Sequence, residues 1–175
     1  DQDGAGPLDG LISLNVTPVN DPPTATNLTQ VKAYNEGDGS VVLDGIVVSD
    51  IDVNPAQTIT ATLTLETPAA SVLPAGSGNG EIYTAGTGVW AVTGTLASVH
   101  AALAAVAFAP EPDTDANTTI TTHIEAQSAA GPADGLIALN VTPANEAPTA
   151  TNLTQAKAYN EGDGSVVLDG IVVSD

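Results

Sequence analysis

Residues 10–17 read Gly-Leu-Ile-Ser-Leu-Asn-Val-Thr, and residues 135–142 repeat them with one change, alanine for serine at the fourth position. Apolar and polar side chains alternate along both copies. Because successive side chains of a β-strand point to opposite faces, a period of two predicts a strand that is buried on one face. The apolar positions are Ile12, Leu14 and Val16 in the first copy and Ile137, Leu139 and Val141 in the second.

These two stretches belong to a longer internal repeat. Residues 1–50 and 126–175 align without a gap and differ at nine positions. A close repeat at a fixed spacing is typical of tandem structural units. We therefore predict that residues 1–22 are the last strand and linker of one unit, residues 23–147 are one complete unit, and residues 148–175 are the first strands of the next. Neither end part is long enough to fold alone, so we expect the native chain to continue on both sides.

Within the complete unit, short stretches rich in Val, Ile and Thr are separated by turn residues. They predict strands near residues 28–34, 41–48, 58–66, 81–84, 89–95, 107–109, 118–124 and 135–141. Helical spacing among alanines predicts one short helix through Leu96, Val99, Leu103 and Val106. Many short strands with one helix favour an all-β fold, an antiparallel β-sandwich.

The chain is strongly acidic. It contains 21 acidic residues and two lysines, which gives a formal net charge of −19. Nucleic acids and anionic membrane surfaces both attract basic proteins, so we exclude both as partners. Two interpretations of the acids remain. They form a solvated surface that keeps a long protein soluble, or they bind a cation such as calcium, which prefers carboxylate oxygens.

Residue types and patterns that the sequence lacks exclude further classes of protein. There is no cysteine, which rules out disulfides, thiolate metal sites and cysteine nucleophiles. No apolar run reaches transmembrane length, so we expect no direct insertion into a membrane. No nucleophile, base and stabilising group converge in the sequence pattern, so we predict that the protein is not an enzyme.

Several short motifs occur in a fixed order along the 125-residue period. They are Val19-Asn20-Asp21-Pro22-Pro23-Thr24, Glu36-Gly37-Asp38, Val48-Ser49-Asp50-Ile51-Asp52, Thr93-Gly94-Thr95-Leu96, Ala101-Ala102-Leu103 and Phe108-Ala109-Pro110. In this order and spacing they resemble the cadherin-like repeats of giant bacterial surface adhesins.

The resemblance implies a fold, a cofactor and a location. The family consists of immunoglobulin/cadherin-like sandwiches strung end to end, with calcium at the junctions, and it is secreted and serves in adhesion and biofilm. Residue by residue, Asp50 and Asp52 match the paired aspartates of the family, and Asn20 and Asp21 match its linker ligands. Glu36 matches the acid near the end of the first strand. The second linker departs from the pattern, because Glu146 replaces the aspartate there.

A first strand that runs away from the linker and a second that returns would gather these acids at the two ends of the unit. Asp50 and Asp52 would lie beside the upstream linker, and Glu36 would lie beside the downstream one. The predicted calcium ligands are Asn20, Asp21, Glu36, Asp50, Asp52, Asn145, Glu146, Glu161 and Asp175. The alternative is that these acids are ordinary residues of solvated turns.

Asp38, Asp113 and Asp115 are weaker candidates. Asp38 is expected in a turn after the first strand. Asp113 and Asp115 form an Asp-Thr-Asp motif that could join an end cluster, but a plain turn is the preferred interpretation.

The remaining motifs predict structural roles. His100 and His123 are expected at the surface or in packing, because the chain offers too few ligands for a structural zinc site. Trp90 is expected in the core rather than as a platform for a sugar. The glycine-rich residues 76–80 are expected to form a flexible loop. A phosphate-binding loop would lie between a strand and a helix, and these residues do not have that setting.

The sequence therefore predicts a structural extender of a secreted adhesin or surface fibre, rigidified by calcium between repeats. Its partners would be neighbouring repeats of the same chain and other copies of the fibre. One alternative is a self-assembling extracellular filament in which chains pack laterally or exchange strands. Another is a carbohydrate-binding module that uses Trp90 and Tyr83.

Overall fold

The computed structural model describes residues 9–17, 19–52, 57–68, 71–74, 76–127 and 129–174. Their elements, in chain order, are β1 (Thr24–Thr26), β2 (Gln30–Asn35), β3 (Val41–Val42), β4 (Val47–Ser49), β5 (Ile59–Leu65), β6 (Ser71–Val72), β7 (Ile82–Thr84), β8 (Val89–Gly94), α1 (Leu96–Ala105), β9 (Ala107–Pro110), β10 (Thr118–Ala126), β11 (Gly135–Thr142), β12 (Thr149–Thr151) and β13 (Val172–Ser174). The prediction of a mostly β fold with one short helix is confirmed. The described part of the chain contains no helix long and apolar enough to cross a membrane.

The largest sheet has six strands in the order β2-β11-β10-β5-β8-β7. β11, the last of these six strands in sequence, lies between β2 and β10. It pairs with β10 in the antiparallel sense and with β2 in the parallel sense. The sheet is therefore mixed, and the prediction of purely antiparallel pairing is wrong at this one pair. The long connection between β2 and β11 allows them to run in the same direction, which a short hairpin cannot do.

Gly135 allows β11 to enter this position. It begins the strand and lies against Leu28, and a Cβ atom at Gly135 would overlap the backbone carbonyl of that residue. Only glycine permits so close an approach of two backbones. The requirement fixes where β11 starts and thereby sets its register against β2.

The smaller sheets are β3-β9-β6, β1-β4 and β12-β13. The predicted strand over residues 41–48 is divided between two of these sheets, as β3 and β4. The side chain of Gln30 causes the break, because its carboxamide bonds to both backbone groups of Asp44, at 2.8 and 2.9 Å. It also donates to Asn27 O at 2.8 Å.

One hydrophobic cluster joins the six-stranded sheet to the smaller elements. Its fully buried members include Trp90 on β8, Leu139 on β11, Phe108 on β9 and Val99 on α1. The expectation that Trp90 is a core residue is confirmed. The helix begins after Thr95, whose hydroxyl caps the N–H of Ser98, and packs Val99, Ala102 and Leu103 into the cluster.

The two copies of the repeat differ in burial. Leu139 is 0% exposed, whereas Leu14, at the same place in the first copy, is 85% exposed. Residues 10–17 form no strand, which contradicts the prediction for them. The physical reason is the lack of neighbours: β11 lies between two strands, and the described residues place no strand beside its first copy.

The second copy repeats only part of these strands: β12 and β13 pair as β1 and β4 do, whereas residues 155–160, equivalent to β2, form no strand. Gln155 repeats the bonds of Gln30, with Asn152 O at 2.9 Å, Asp169 O at 2.8 Å and Asp169 N at 2.7 Å. Burial again differs, since Val48 is 0% exposed and its equivalent Val173 is 66% exposed. Local hydrogen bonds are therefore encoded within the segment, but burial of its apolar face requires the rest of the unit.

Candidate metal centre

Three carboxylates meet at the end of the sheet where β2 and β11 finish. Glu36 follows β2, Asp113 follows β9, and Glu146 lies in the linker after β11. One oxygen of each lies within 4.8 Å of the others. The parallel register pairs Asn35 with Thr142, so the residue after β2 and the linker after β11 are neighbours.

Glu36 is fixed in this cluster by two backbone contacts. Its N–H donates to Thr142 O at 3.0 Å, which extends the parallel ladder by one residue. Its Oε2 accepts from the N–H of Ala144 at 2.7 Å. The side chain of Glu36 thus already connects the sheet to the linker, and it holds a carboxylate beside Glu146.

Asp113 is the member for which the sequence favoured a plain turn over a place in an end cluster. It has a φ of 63°, a left-handed conformation that aspartate tolerates in turns. The predicted turn is present, but the carboxylate also joins Glu36 and Glu146. The available signal was the Asp-Thr-Asp motif before β10, which the preferred interpretation assigned to a turn alone.

The negative charges of these three carboxylates repel one another. The negative charge of Asp113, with partial desolvation and the charge of Glu36, raises the pKa of Glu146. Like charges at such distances disfavour ionisation, and a bound cation would reverse that effect. Three carboxylates from three chain segments are hard oxygen donors, and calcium takes six to eight oxygens from flexible loops. The chemistry of these three residues would suit a calcium ion, whose remaining ligands would have to be water or backbone oxygens.

The upstream linker meets a different set of acids. Asp52 Oδ2 accepts from the N–H of Asp21 at 2.6 Å, and Asp50 Oδ1 accepts from the N–H of Asp52 at 2.9 Å. Gln57 Nε2 donates to Asp50 Oδ2 at 3.1 Å. The predicted neighbours are adjacent, but their carboxylates bind amide groups. Among the residues that the structure describes, no third acid or histidine completes a close metal set at this end.

The other predicted ligands are not assembled into a cluster within the described ranges. The Nδ2 groups of Asn20 and Asn145 each donate to the carbonyl of the following residue, at 3.4 Å. Glu161 is exposed after the second copy of the β2 segment. Asp38 accepts from the N–H of Asn35 at 2.8 Å and thus closes its turn. Asp175 lies outside the described residues.

Glu81 is a charged residue that the sequence analysis missed. Its carboxylate accepts from the backbone N–H groups of Gly76, Ser77 and Asn79. Hydrogen bonds from the Ser77 hydroxyl, from the backbone N–H of Glu81 itself and from the backbone N–H groups of Gly76 and Ser77 lower the pKa of Glu81 to about 2. The glycine-rich loop therefore wraps around an acid of its own chain.

His100 has a structural contact. Its Nε2 atom lies at the backbone of Val48, with the N–H of Val48 at 2.9 Å. This contact fastens α1 to the edge of β4. The expectation of a packing role is confirmed for His100.

No protein-family model matches the chain, and no curated protein sequence matches it.

Proposed function

We propose that this chain is part of a secreted extender whose tandem units are stiffened by calcium at their junctions. The observation that carries the proposal is the convergence of Glu36, Asp113 and Glu146 at the point where β11 passes into the linker and the next copy of the repeat. The role is structural and not catalytic. The expected location is the bacterial cell surface, where such a spacer would serve adhesion and biofilm.

The proposed unit is an immunoglobulin/cadherin-like sandwich over residues 23–147. The six-stranded sheet would be one layer, and the sheets β3-β9-β6 and β1-β4 with α1 would be the other. The shared hydrophobic cluster supports this assignment, because buried side chains of both sets of elements contact each other. Residues 1–22 and 148–175 would then belong to the preceding and following units. The exposed Leu14 and Val173, whose equivalents are fully buried, support that division.

The stiffening would follow from where the ligands are attached. Glu36 belongs to the end of β2 and Glu146 belongs to the linker. An ion bound to both would add a strong contact to the single hydrogen bond from Ala144 to Glu36. Its two positive charges would also offset most of the repulsion among the three carboxylates, so the linker would lose freedom to bend while the unit gained stability.

Thermal unfolding with and without calcium tests the proposal. Calcium at 100 times its Kd should stabilise the folded unit by about 2.7 kcal/mol. Glu36→Gln should remove most of that gain. The matched control is Glu161→Gln, which changes the same position of the second copy, where no β11 lies alongside in the described chain. Equal calcium stabilisation of wild type and Glu36→Gln would refute the junction site.

A filament that assembles from many chains is a second candidate, favoured by the apolar side chains exposed at both ends. Leu11, Ile12, Leu14 and Val16 are exposed in the first copy, and Val167, Leu168 and Val173 in the second. Exposed apolar groups of this extent mark interaction surfaces. Sedimentation velocity over a range of protein concentrations separates the candidates, because an extender stays monomeric and a filament subunit associates.

A carbohydrate-binding module has less support. Trp90 is fully buried and Tyr83 packs against the hydrophobic cluster. A sugar platform needs an exposed aromatic face; Trp90 provides none, and Tyr83 is partly buried.

A further inference from the structure

His123 lies on the outer face of the six-stranded sheet, away from the acid cluster. It is in β10, where Ile124 points into the core, so His123 and Glu125 share the opposite face. Asp134 immediately precedes β11, the neighbouring strand. The side chain of His123 is 44% exposed, and it is therefore accessible from solvent.

The two ring nitrogens of His123 have different surroundings. Nδ1 lies 2.6 Å from Oδ1 of Asp134, a hydrogen-bond distance. Nε2 lies 3.7 Å from Oε2 of Glu125, which is longer than an ordinary N–H···O bond. Two ligands of one tetrahedral zinc ion, at its usual bond lengths, lie about 3.4 Å apart. Small side-chain rotations would thus allow Nε2 and Glu125 to share an ion.

The hydrogen bond with Asp134 orients the His123 ring for metal binding through Nε2. A carboxylate that accepts the Nδ1–H fixes the tautomer, which leaves the lone pair on Nε2 and orients it. This carboxylate–histidine arrangement recurs behind the histidine ligands of metal sites. Imidazole and carboxylate ligands together suit divalent transition ions such as zinc.

We propose that Nε2 of His123 and the carboxylate of Glu125 bind a divalent transition ion, with Asp134 as the positioning residue. Water would complete the coordination, because the site offers two protein ligands rather than the four of a structural zinc site. The site is independent of the calcium junction in both ligands and location. His100 offers no equivalent, because its Nε2 lies at the backbone of Val48.

Protons compete for the same nitrogen. The hydrogen bond to Asp134 and its charge, with a smaller effect of Glu125, raise the pKa of His123. Affinity for the ion should therefore fall as the pH drops through that raised pKa.

The test is titration of the whole chain with zinc chloride by calorimetry, in saturating calcium so that the acid cluster is occupied. His123→Ala should abolish zinc binding. Glu125→Gln should weaken it. Asp134→Asn should lower the affinity by about 10–100-fold while both ligands remain. Glu66→Gln is the control, since Glu66 is an exposed acid bonded to Thr119 of the same strand and should leave zinc binding unchanged.

Two results would overturn the proposal. The site is refuted if His123→Ala, with unchanged thermal unfolding, binds zinc as tightly as wild type. The positioning role of Asp134 is refuted if Asp134→Asn keeps the wild-type affinity. Nitrogen NMR gives a direct readout, because zinc should shift the Nε2 resonance of His123 and leave Nδ1 protonated.

Discussion

Glu36 Oε2 accepts a hydrogen bond from the backbone N–H of Ala144 at 2.7 Å, so the end of β2 is joined directly to the linker after β11. The two residues are far apart in sequence and meet because β2 and β11 run in parallel. This contact brings a carboxylate to the base of the linker, where Asp113 and Glu146 complete the cluster. The position of this carboxylate cluster is therefore a consequence of the strand order.

The repeat offers a matched test of the core. Leu139→Ala should lower the free energy of unfolding by about 2–5 kcal/mol, because it opens a cavity at a fully buried position. Leu14→Ala makes the same change at the equivalent exposed position and should cost less than about 0.5 kcal/mol. Chemical denaturation of both variants measures the difference. Equal losses would contradict the assignment of the core to residues 23–147.

Glu146 predicts an unusual pH dependence in calcium-free buffer. Asp113 and Glu36 raise its pKa in the folded state, so the folded protein holds this proton more tightly than the unfolded chain. The contribution of Glu146 to stability is therefore largest at low pH. It is lost as the pH rises from the ordinary pKa of 4.5 through the raised value.

Glu146→Gln removes that titration and is expected to flatten this part of the pH–stability curve. Unfolding followed by circular dichroism across the interval measures the slope of both proteins. Asp113→Asn should have a similar effect, since its charge is the largest cause of the shift. Parallel curves for wild type and both variants would show that the three carboxylates do not interact in solution.

For Glu81 we expect the opposite change of stability with pH. Hydrogen bonds from Ser77 and nearby backbone groups lower its pKa to about 2, so its contribution to stability is complete above its ordinary pKa of 4.5. It is lost as the pH falls through about 2. Glu81→Gln should remove this acid-sensitive part, and Ser77→Ala should reduce it. If Glu81→Gln loses stability at low pH just as wild type does, the hydrogen bonds between Glu81 and the glycine-rich loop do not form in solution.

Local patterns in the sequence predicted much of the fold. The alternation of Thr and apolar residues in β5 and β10 specified their buried faces, and the spacing of Val99 and Leu103 specified the helix. Each of these patterns is contained within a few neighbouring residues, so it can be recognised from the sequence alone. Burial of Trp90 followed from its size and apolar surface.

What the sequence did not predict depends on contacts between distant residues. The parallel pairing of β2 with β11 and the bonds of Gln30 to Asp44 have no local signature. Residues 10–17 carry the strand pattern without the neighbours that a strand needs. In the carboxylate cluster, Glu36 and Glu146 were predicted together, but Asp113 joined them only through the position of β9.

The most direct test of the junction is calcium titration by calorimetry on the chain and on a Glu36→Gln, Asp113→Asn, Glu146→Gln variant. Sodium chloride at matched ionic strength controls for screening of the net charge of −19. We predict a saturable calcium isotherm in wild type and in Glu161→Gln, and its loss in the triple variant. A triple variant that binds calcium as wild type does, or a wild type that shows no saturable binding, would contradict the account.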